Sequence, residues 1–433
     1  MSTFTSAGRR RALPVGVAVA LVGGAVVLLP SDALAGGNAS GQGSGQGRGH
    51  HADSVILING DGMAAAHREA ARLDQAGFDG DLVMDSLPVA GLQTTDPRDP
   101  EATVTDSAAA ATAWATGQKT FNGAISVDVD GNPLTPLGTE AKQTGKATGL
   151  VTTAQVTDAT PAAFFSSVED RGEQSEIARQ YLEVSKPDVI LGGGEDRWLP
   201  TGDEGAFPPR TGDTEDPEIS TAPSDLVAEA QGLGYEYVNS ADGLAAAEGD
   251  RLLGLFANEE MFQQRPEGEG DEYSPVVPLA DMTTKALDVL DESRDGFFLL
   301  VEEEAVDEMS HENNGTRMLQ AMRALEDAVQ VARDYVARHP DTLLIVTGDH
   351  ECGGLTIEDV DDADESGDGT TISAEDGPFP VADSDKQLVL DWTTTSHTGA
   401  PTPVTAEGDG SEALEGYYPN TRLHEVMRSA LIG

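Results

Sequence analysis

The chain is short of cysteine and lysine, and both shortages exclude classes of protein. Cys352 is the one cysteine among 433 residues, which excludes an intrachain disulfide. Six of the 26 basic residues are lysine, against 76 Asp and Glu, and the net charge is −50. Such a surface repels polyanions, so we expect no nucleic-acid-coating role. Excess carboxylate with little lysine favours adaptation to concentrated salt, where repulsion is screened, over ordinary acidic solubility.

Apolar residues are also somewhat scarce, at 38% of the chain, and glycine is abundant with 49 residues. The deficit is modest, so a packed core is possible and wholesale disorder is excluded. The length suits one large α/β domain or two ordinary domains.

The amino end has the pattern of an export signal covering residues 1–35. Arg9 to Arg11 form a charged start, Ala12 to Leu29 form an apolar stretch, and Ala33 to Ala35 form a small-residue cleavage site. We therefore expect an exported, periplasmic or extracellular protein. A retained membrane anchor is the alternative, since the apolar stretch is near the length that spans a bilayer, and it would leave the protein surface-anchored. The arginine run also permits twin-arginine export in place of the general secretory route.

Residues 36–52 are predicted to be a flexible linker, because Gly36 to Arg48 contain Gly, Ser and Gln but no core-forming side chains. From residue 53 onward, short β-rich runs alternate with helix-like runs, which predicts an α/β fold with a largely parallel central sheet and helices on both faces. The predicted strands are Val55 to Ile58, Ala147 to Val151, Val189 to Leu191, Leu252 to Phe256, Phe297 to Val301 and Leu343 to Val346. The predicted helices are Glu173 to Val184, Thr283 to Ser293 and Asn314 to Ala337.

Acidic residues and histidines follow the ends of four of these strands. They are Asp61 after the first, Asp158 and Thr160 after the second, Glu302, Asp307 and His311 after the fifth, and Asp349 and His350 after the sixth. Sites in open α/β sheets lie beyond the carboxyl ends of the strands, so we expect these side chains to meet at one edge. His397 is a further candidate among only eight histidines. Mixed Asp and His ligands suit Zn²⁺, and an oxygen-only set with a Thr hydroxyl suits Mg²⁺.

A candidate nucleophile, Ser107, precedes an alanine run that is predicted to be helical. Asp106 or Ser107 would cap this helix, and a cap alone is the commoner use of such a serine. A serine oxygen at a helix N-terminus also faces a positive partial charge that suits an incoming phosphate. No histidine neighbours Ser107 in the sequence, which favours activation by a metal over a Ser-His-Asp triad.

These residues resemble the alkaline phosphatases, metal-dependent phosphomonoesterases. The similarity runs from Asp53 to Gly433, and its most specific part is Asp106 to Val127, with Asp-Ser-Ala and Lys-Thr-Phe-Asn-Gly-Ala. The resemblance implies that residues 53–433 are one catalytic domain with a small insertion at the rim of the active site. It also implies a homodimer that hydrolyses small phosphate monoesters through a phosphoserine.

The resemblance implies a role for each candidate residue. Ser107 would be the phosphorylated nucleophile, and Arg171 would bind phosphate. Two zinc ions and one magnesium ion would be bound per chain. Asp307, His311 and His397 would hold the first zinc, Asp61, Asp349 and His350 the second, and Asp158, Thr160 and Glu302 the magnesium, with Asp61 reaching toward it.

Three features depart from this pattern or lie outside it. Glu308 stands where relatives commonly carry Lys, His or Trp, and it adds negative charge near the third metal unless it points to solvent. Cys352 could be read as a metal ligand, but a small buried residue is the favoured interpretation. Asp359 to Gly377 are predicted to be a solvated acidic loop. Within that loop, a partial calcium-loop pattern with Ser373 in place of the final Glu is formed by Asp362, Asp364, Ser366 and Gly367.

Three other functions are possible for such a chain. Sulfatases on this scaffold need Pro and Arg where Ala109 and Ala111 follow Ser107. Related diesterases usually lack the magnesium ligands and the arginine, whereas this chain has Asp158, Thr160, Glu302 and Arg171. An exported acidic metal-storage or structural protein would need no ordered nucleophile. The sequence therefore favours phosphomonoester hydrolysis.

Overall fold

The computed structural model describes residues 52–203, 205–207, 221–270, 272–360 and 374–433. The predicted export signal and nearly all of the linker lie outside these residues, as does the partial calcium-loop pattern. Among the described residues, no helix combines the length and the apolar character needed to cross a bilayer.

The described residues form fifteen strands and eleven α-helices. The strands are β1 Ser54–Gly60, β2 Val89–Thr94, β3 Ala147–Gln155, β4 Val189–Gly193, β5 Glu236–Val238, β6 Leu252–Leu255, β7 Phe297–Glu303, β8 Thr342–Thr347, β9 Glu351–Cys352, β10 Leu355–Asp359, β11 Ala374–Pro380, β12 Gln387–Trp392, β13 His397–Thr398, β14 Thr402–Glu407 and β15 Gly416–Pro419. The helices are α1 Ala65–Ala76, α2 Ser107–Thr116, α3 Leu137–Gln143, α4 Ala159–Phe165, α5 Gln174–Gln180, α6 Leu226–Gly232, α7 Ala241–Ala246, α8 Leu279–Leu290, α9 Ala305–His311, α10 Gly315–Val336 and α11 Thr421–Leu431.

A ten-stranded sheet has the order β15-β2-β14-β8-β1-β7-β3-β4-β6-β5. The seven strands from β8 to β5 run parallel, and β14 runs antiparallel to both of its neighbours. Helices cover both faces. Ile56 and Ile58 of β1 pack on one face with α1, α8 and α10, and Val55 and Leu57 pack on the other with α2, α4 and α11. The largely parallel α/β sheet predicted from the sequence is thereby confirmed.

The six predicted strands are all present, as β1, β3, β4, β6, β7 and β8. Each is buried along almost its whole length, which is why it reads as an unbroken apolar run. Helix α10 matches the predicted Asn314 to Ala337, and the Asn314 side chain caps it by accepting a hydrogen bond from the Arg317 amide. Helix α8 begins directly after Pro278, earlier than the predicted Thr283, and it ends at Leu290, before the predicted Ser293.

The prediction of a loop from Asp359 to Gly377 is wrong at both ends. Asp359 ends strand β10, and β11 begins at Ala374; both pair antiparallel with β12. Leu388 and Leu390 of β12 supply the buried face of this small sheet, so its acidic outer strands need few apolar residues of their own. The acidic composition of these strands therefore led to the prediction of a loop.

Candidate active site

The four strands that carry the predicted site residues are neighbours at the centre of the sheet, in the order β8-β1-β7-β3. Asp349 and His350 follow β8, Asp61 follows β1, and Glu302 lies near the end of β7. Asp158 follows β3 and is the residue before helix α4. Because these strands are parallel, their carboxyl ends meet at one edge and bring the acidic side chains together.

One group of ligand atoms surrounds His350. Its Nε2 lies 3.2 Å from Asp349 Oδ2 and 3.4 Å from Asp61 Oδ1. The loop that holds Asp61 depends on Gly62, whose φ is +67° and whose amide donates to Asp349 Oδ1. A Cβ at Gly62 would lie 2.5 Å from Asp307 Oδ1, so only glycine allows this approach.

A second group surrounds Asp307, whose Oδ2 lies 3.1 Å from His311 Nε2 and 3.6 Å from His397 Nε2. Asp307 and His311 are one helical turn apart on α9, as the spacing predicts, and β13 supplies His397. The Nδ1 atoms of His311 and His397 contact the carbonyl oxygens of Thr395 and Thr105 at 2.8 and 3.0 Å. A carbonyl only accepts, so each Nδ1 carries the proton and each neutral ring leaves the Nε2 lone pair inside the group.

The two Nε2 atoms are 3.1 Å apart, so two neutral rings would direct lone pairs at each other. Burial opposes charge on Asp307, but the hydrogen bond from His311 and the nearby His350 and His397 lower its pKa well below the usual range. In return, Asp307 raises the pKa of His311 to about 10 against the effect of burial. This group therefore holds either a proton or a metal cation between its nitrogens.

The surroundings of Asp61 and Asp349 shift the pKa values of these carboxyl groups upward, in the opposite direction to that of Asp307. Burial and the Asp349 and Asp307 charges raise the pKa of Asp61 well above its usual value, and burial with Asp307 raises that of Asp349 to about 6. The buried polar atoms without a hydrogen-bond partner include four from these two groups: Asp61 Oδ1, Asp307 Oδ1, Asp349 Oδ2 and His350 Nδ1. Such atoms are rare in native proteins, and one or more divalent cations would satisfy them. The mixed carboxylate and imidazole donors thus fit a metal.

The predicted magnesium ligands are arranged more loosely. Glu302 accepts hydrogen bonds from Thr152 and Asn59, and burial raises its pKa to about 8. Asp158 is paired with Arg171 at 3.0 Å. Among the described residues, two groups of three or more His, Cys, Asp or Glu side chains have ligand atoms within 4.8 Å of one another, and neither includes Asp158 or Glu302. Thr160 is buried close to Glu302.

Ser107 is the first residue of helix α2, and Asp106 is its cap, accepting from the Ala109 amide at 2.9 Å. Ser107 Oγ lies 3.2 Å from His350 Nε2, so the serine does have a histidine neighbour that the sequence did not reveal. A triad is still not formed. His350 directs the same nitrogen at two carboxylates, its Nδ1 has no hydrogen-bond partner, and burial lowers its pKa well below the usual value.

Arg171 is held at the same edge by two acids. Its Nη2 pairs with Asp158, and its Nη1 lies 3.6 Å from Asp106 Oδ2. The side chain is 34% exposed, so the guanidinium remains reachable from solvent. The arrangement offers a charged, oriented group within the same cleft as Ser107.

Several contributors were missed by sequence reasoning. The carbonyls of Thr105 and Thr395 set the histidine tautomers, and backbone carbonyls carry no sequence signal. Glu304, which no sequence pattern singles out, is buried within hydrogen-bonding reach of Glu308. Cys352 is buried as favoured, yet its sulfur belongs to the Asp307, His311 and His397 group.

At one edge of a largely parallel sheet, a serine in the first turn of a helix lies beside two groups of buried metal-ligating side chains. Together with the family match given next, this defines a metal-dependent phosphomonoesterase. The family model described as alkaline phosphatase matches residues 52–387. The chain belongs to the alkaline phosphatase family.

Relatives and solved structures cover nearly all of the chain. Streptomycin-6-phosphate phosphatase of Streptomyces griseus is 36% identical over 88% of this chain and 90% of its own. Alkaline phosphatase 3 of Bacillus subtilis is 31% identical over 87% of this chain and 88% of its own. The crystal structure of a cold-active alkaline phosphatase from Shewanella sp. is 30% identical, covers 88% of this chain and 100% of its own, and superposes with a TM-score of 0.71.

Proposed function

We propose that this protein hydrolyses phosphate monoesters through a phosphoserine formed on Ser107. The observation that carries the proposal is the position of Ser107 Oγ, at the start of α2 and 3.2 Å from His350 Nε2. This places a hydroxyl against one ligand group and at the positive end of a helix.

The proposal includes two zinc ions and one magnesium ion per chain. Asp307, His311 and His397 would hold the first zinc, and Asp61, Asp349 and His350 the second. Asp158, Thr160 and Glu302 would hold magnesium, with Asp61 reaching toward it. Bound divalent ions supply Lewis acidity, which makes a hydroxyl or water more acidic and stabilises negative charge on oxygen.

The chain's own residues orient the phosphate. Arg171 offers two parallel N–H donors to phosphate oxygens, and Asp106 and Asp158 hold its guanidinium in the cleft. A phosphate bound there would exchange part of the contact with Asp158 for its own oxygens. The N-terminus of α2 favours the same negative charge.

The reaction proceeds in two displacements at phosphorus. Ser107 Oγ loses its proton and forms a bond to phosphorus while the bond to the ester oxygen breaks, and the alcohol leaves with a proton from water. Water then attacks the phosphoserine, the Oγ–P bond breaks, and Ser107 regains a proton as inorganic phosphate is released.

We also propose where the enzyme acts and in which oligomeric form. Residues 53–433 form the catalytic domain, residues 1–35 direct export, and the protein acts as a homodimer adapted to high salt. Support comes from the charge of −50 and from the signal-like amino end. High salt would also screen distant carboxylates from an anionic substrate.

The test is covalent labelling with inorganic phosphate at acid pH, combined with assays of a chromogenic monoester and a diester. We expect label on Ser107, monoester preference, and loss of most turnover in Ser107→Ala with its metal content intact. Ser86→Ala is the matched control, because Ser86 is exposed and remote from the cleft. Label on another residue, or faster diester hydrolysis, would refute the proposal.

A further inference from the structure

The one cysteine of the chain lies inside the first ligand group. Cys352 Sγ and one ligand atom each of Asp307, His311 and His397 all lie within 4.8 Å of one another. The Cys352 side chain is fully buried and forms no disulfide. A sulfur atom at this position would add a type of metal donor that Asp307, His311 and His397 do not provide.

Backbone pairing, not chance packing, places the sulfur there. The two-residue strands β9 and β13 run antiparallel with Cys352 directly opposite His397. Opposite residues of an antiparallel pair present their side chains on the same face, a few ångströms apart. The Cys352 amide also donates to the Gly62 carbonyl, which ties β9 to the loop that carries Asp61.

A second observation is that polar atoms of this ligand group are not paired with suitable hydrogen-bond partners. Asp307 is 4% exposed, and its buried Oδ1 has no hydrogen-bond partner. The Nε2 atoms of His311 and His397 face each other at 3.1 Å. A divalent cation within the group would reach a carboxylate oxygen of Asp307, both nitrogens and the sulfur.

We propose that Cys352 is a fourth protein donor of the first metal site, bound as a thiolate beside Asp307, His311 and His397. This inference rests on the proposed function only for the existence of that site. On binding, the S–H bond breaks, the sulfur–metal bond forms, and the proton passes to solvent. Some catalytic zinc sites expand to five ligands during reaction, and such an expansion would leave room for an ester oxygen beside four protein donors.

The consequence is selectivity among metals. Thiolate donors favour zinc and related transition ions over magnesium and calcium, which prefer oxygen. The first site would then reject the hard cations that are abundant in concentrated brine. The oxygen-rich third site has no such donor.

Cobalt spectroscopy of the full chain tests the assignment. We expect cobalt-loaded wild-type protein to show a near-ultraviolet thiolate-to-cobalt charge-transfer band. The band would be absent in Cys352→Ser, while the visible bands from imidazole and carboxylate coordination remain. Cys352 is the only thiol in the chain, so any such band belongs to it. Magnesium-loaded wild-type protein is the control without a band.

The outcomes separate this proposal from the proposed function. Visible cobalt bands without a thiolate band in the wild-type protein would overturn the sulfur ligand, whether or not Cys352→Ser folds, while phosphate labelling of Ser107 would still stand. A zinc affinity lowered about 10-fold or more in Cys352→Ser, together with loss of the band, supports ligation. Lowered affinity without any band in the wild type would make Cys352 a positioning residue for Asp307 and refute the proposal.

Discussion

At the scale of single residues, the histidines His311 and His350 acquire opposite pKa shifts from their surroundings. His311 has its pKa raised to about 10 by Asp307, although burial opposes the change. His350 has its pKa lowered well below the usual value, first by burial and then by His397. Position relative to one carboxylate and to solvent, and not the imidazole itself, decides which ring holds a proton when no cation is present.

His397 tests the membership of the first ligand group. We expect His397→Ala to retain about one zinc fewer per chain after dialysis, because Asp307 and His311 lose the partner that β13 supplies. Metal content measured by elemental analysis decides the matter. His339→Ala is the control, since His339 stacks on Tyr335 away from the site. Full zinc content in His397→Ala would contradict the ligand set.

Glu308 tests the charge near the third site. It is half-buried on α9, and burial with Asp307 raises its pKa to about 7. Glu308→Lys replaces a negative group with a cation near bound phosphate, so we expect tighter inhibition by inorganic phosphate and weaker dependence on magnesium. Inhibition constants at low and high salt provide the measurement. The exposed Glu248→Lys makes the same change of charge remotely. Equal constants for Glu308→Lys and the wild type would leave Glu308 without influence on phosphate.

At the scale of secondary-structure elements, helix α2 links stability to the nucleophile. Its alanine run is almost wholly buried, and it packs against α4 and α11. Asp106 caps the helix and also accepts from the Gly123 amide at 2.8 Å, which ties the start of α2 to the loop that follows it. The same carboxylate lies near Arg171, so one residue positions both the serine and the arginine.

We expect Asp106→Ala to lower the free energy of unfolding by about 1 kcal/mol, the typical cost of a lost cap. We also expect a higher KM, because Arg171 loses one of its two acidic partners. Asp106→Asn keeps a capping oxygen without the charge, so it should retain most of the stability while still raising KM. Urea unfolding and steady-state kinetics measure the two effects. Unchanged stability in Asp106→Ala would show that the cap is not needed here.

At the scale of the whole molecule, the charge of −50 dominates the behaviour in solution. Individual surface interactions are weak, but the repulsion among dozens of carboxylates adds up and opposes the compact state. Several exposed acids do have basic partners, such as Glu69 with Arg72. With 26 basic residues for 76 acidic ones, most carboxylates depend on solvent ions for screening.

We therefore expect the melting temperature and the activity to rise together as sodium chloride increases from dilute buffer to molar concentration, because ions shorten the range of repulsion to a few ångströms. Calorimetry and monoester assays across the salt series provide the measurement. Sucrose at matched osmolality is the control, since it stabilises proteins without screening charge. A melting temperature that rises equally in sucrose, or not at all in salt, would contradict adaptation by screening.

The sequence by itself determined the central strands and the residues at their ends. Val55 to Ile58 and Leu343 to Val346 are contiguous apolar runs. Such a run indicates a strand that is buried on both faces, and it can be recognised without information from the rest of the chain. Asp61, Glu302 and Asp349 are adjacent to such runs, so the sheet edge could be predicted with them. The Asp307 and His311 pair was predictable because one helical turn is a local distance.

Only the tertiary structure decided which of these residues touch. Ser107 and His350 are 243 positions apart, and their contact depends on how α2 packs within the apolar cluster that it shares with β8 and β1. The histidine tautomers depend on backbone carbonyls, and the position of Cys352 depends on a two-residue ladder with His397. Hydrophobic runs and helical spacing are local features, so they can be recognised from the sequence. Hydrogen bonds and metal-ligand distances require atoms from remote segments to meet within a few ångströms, and only the packed chain defines that.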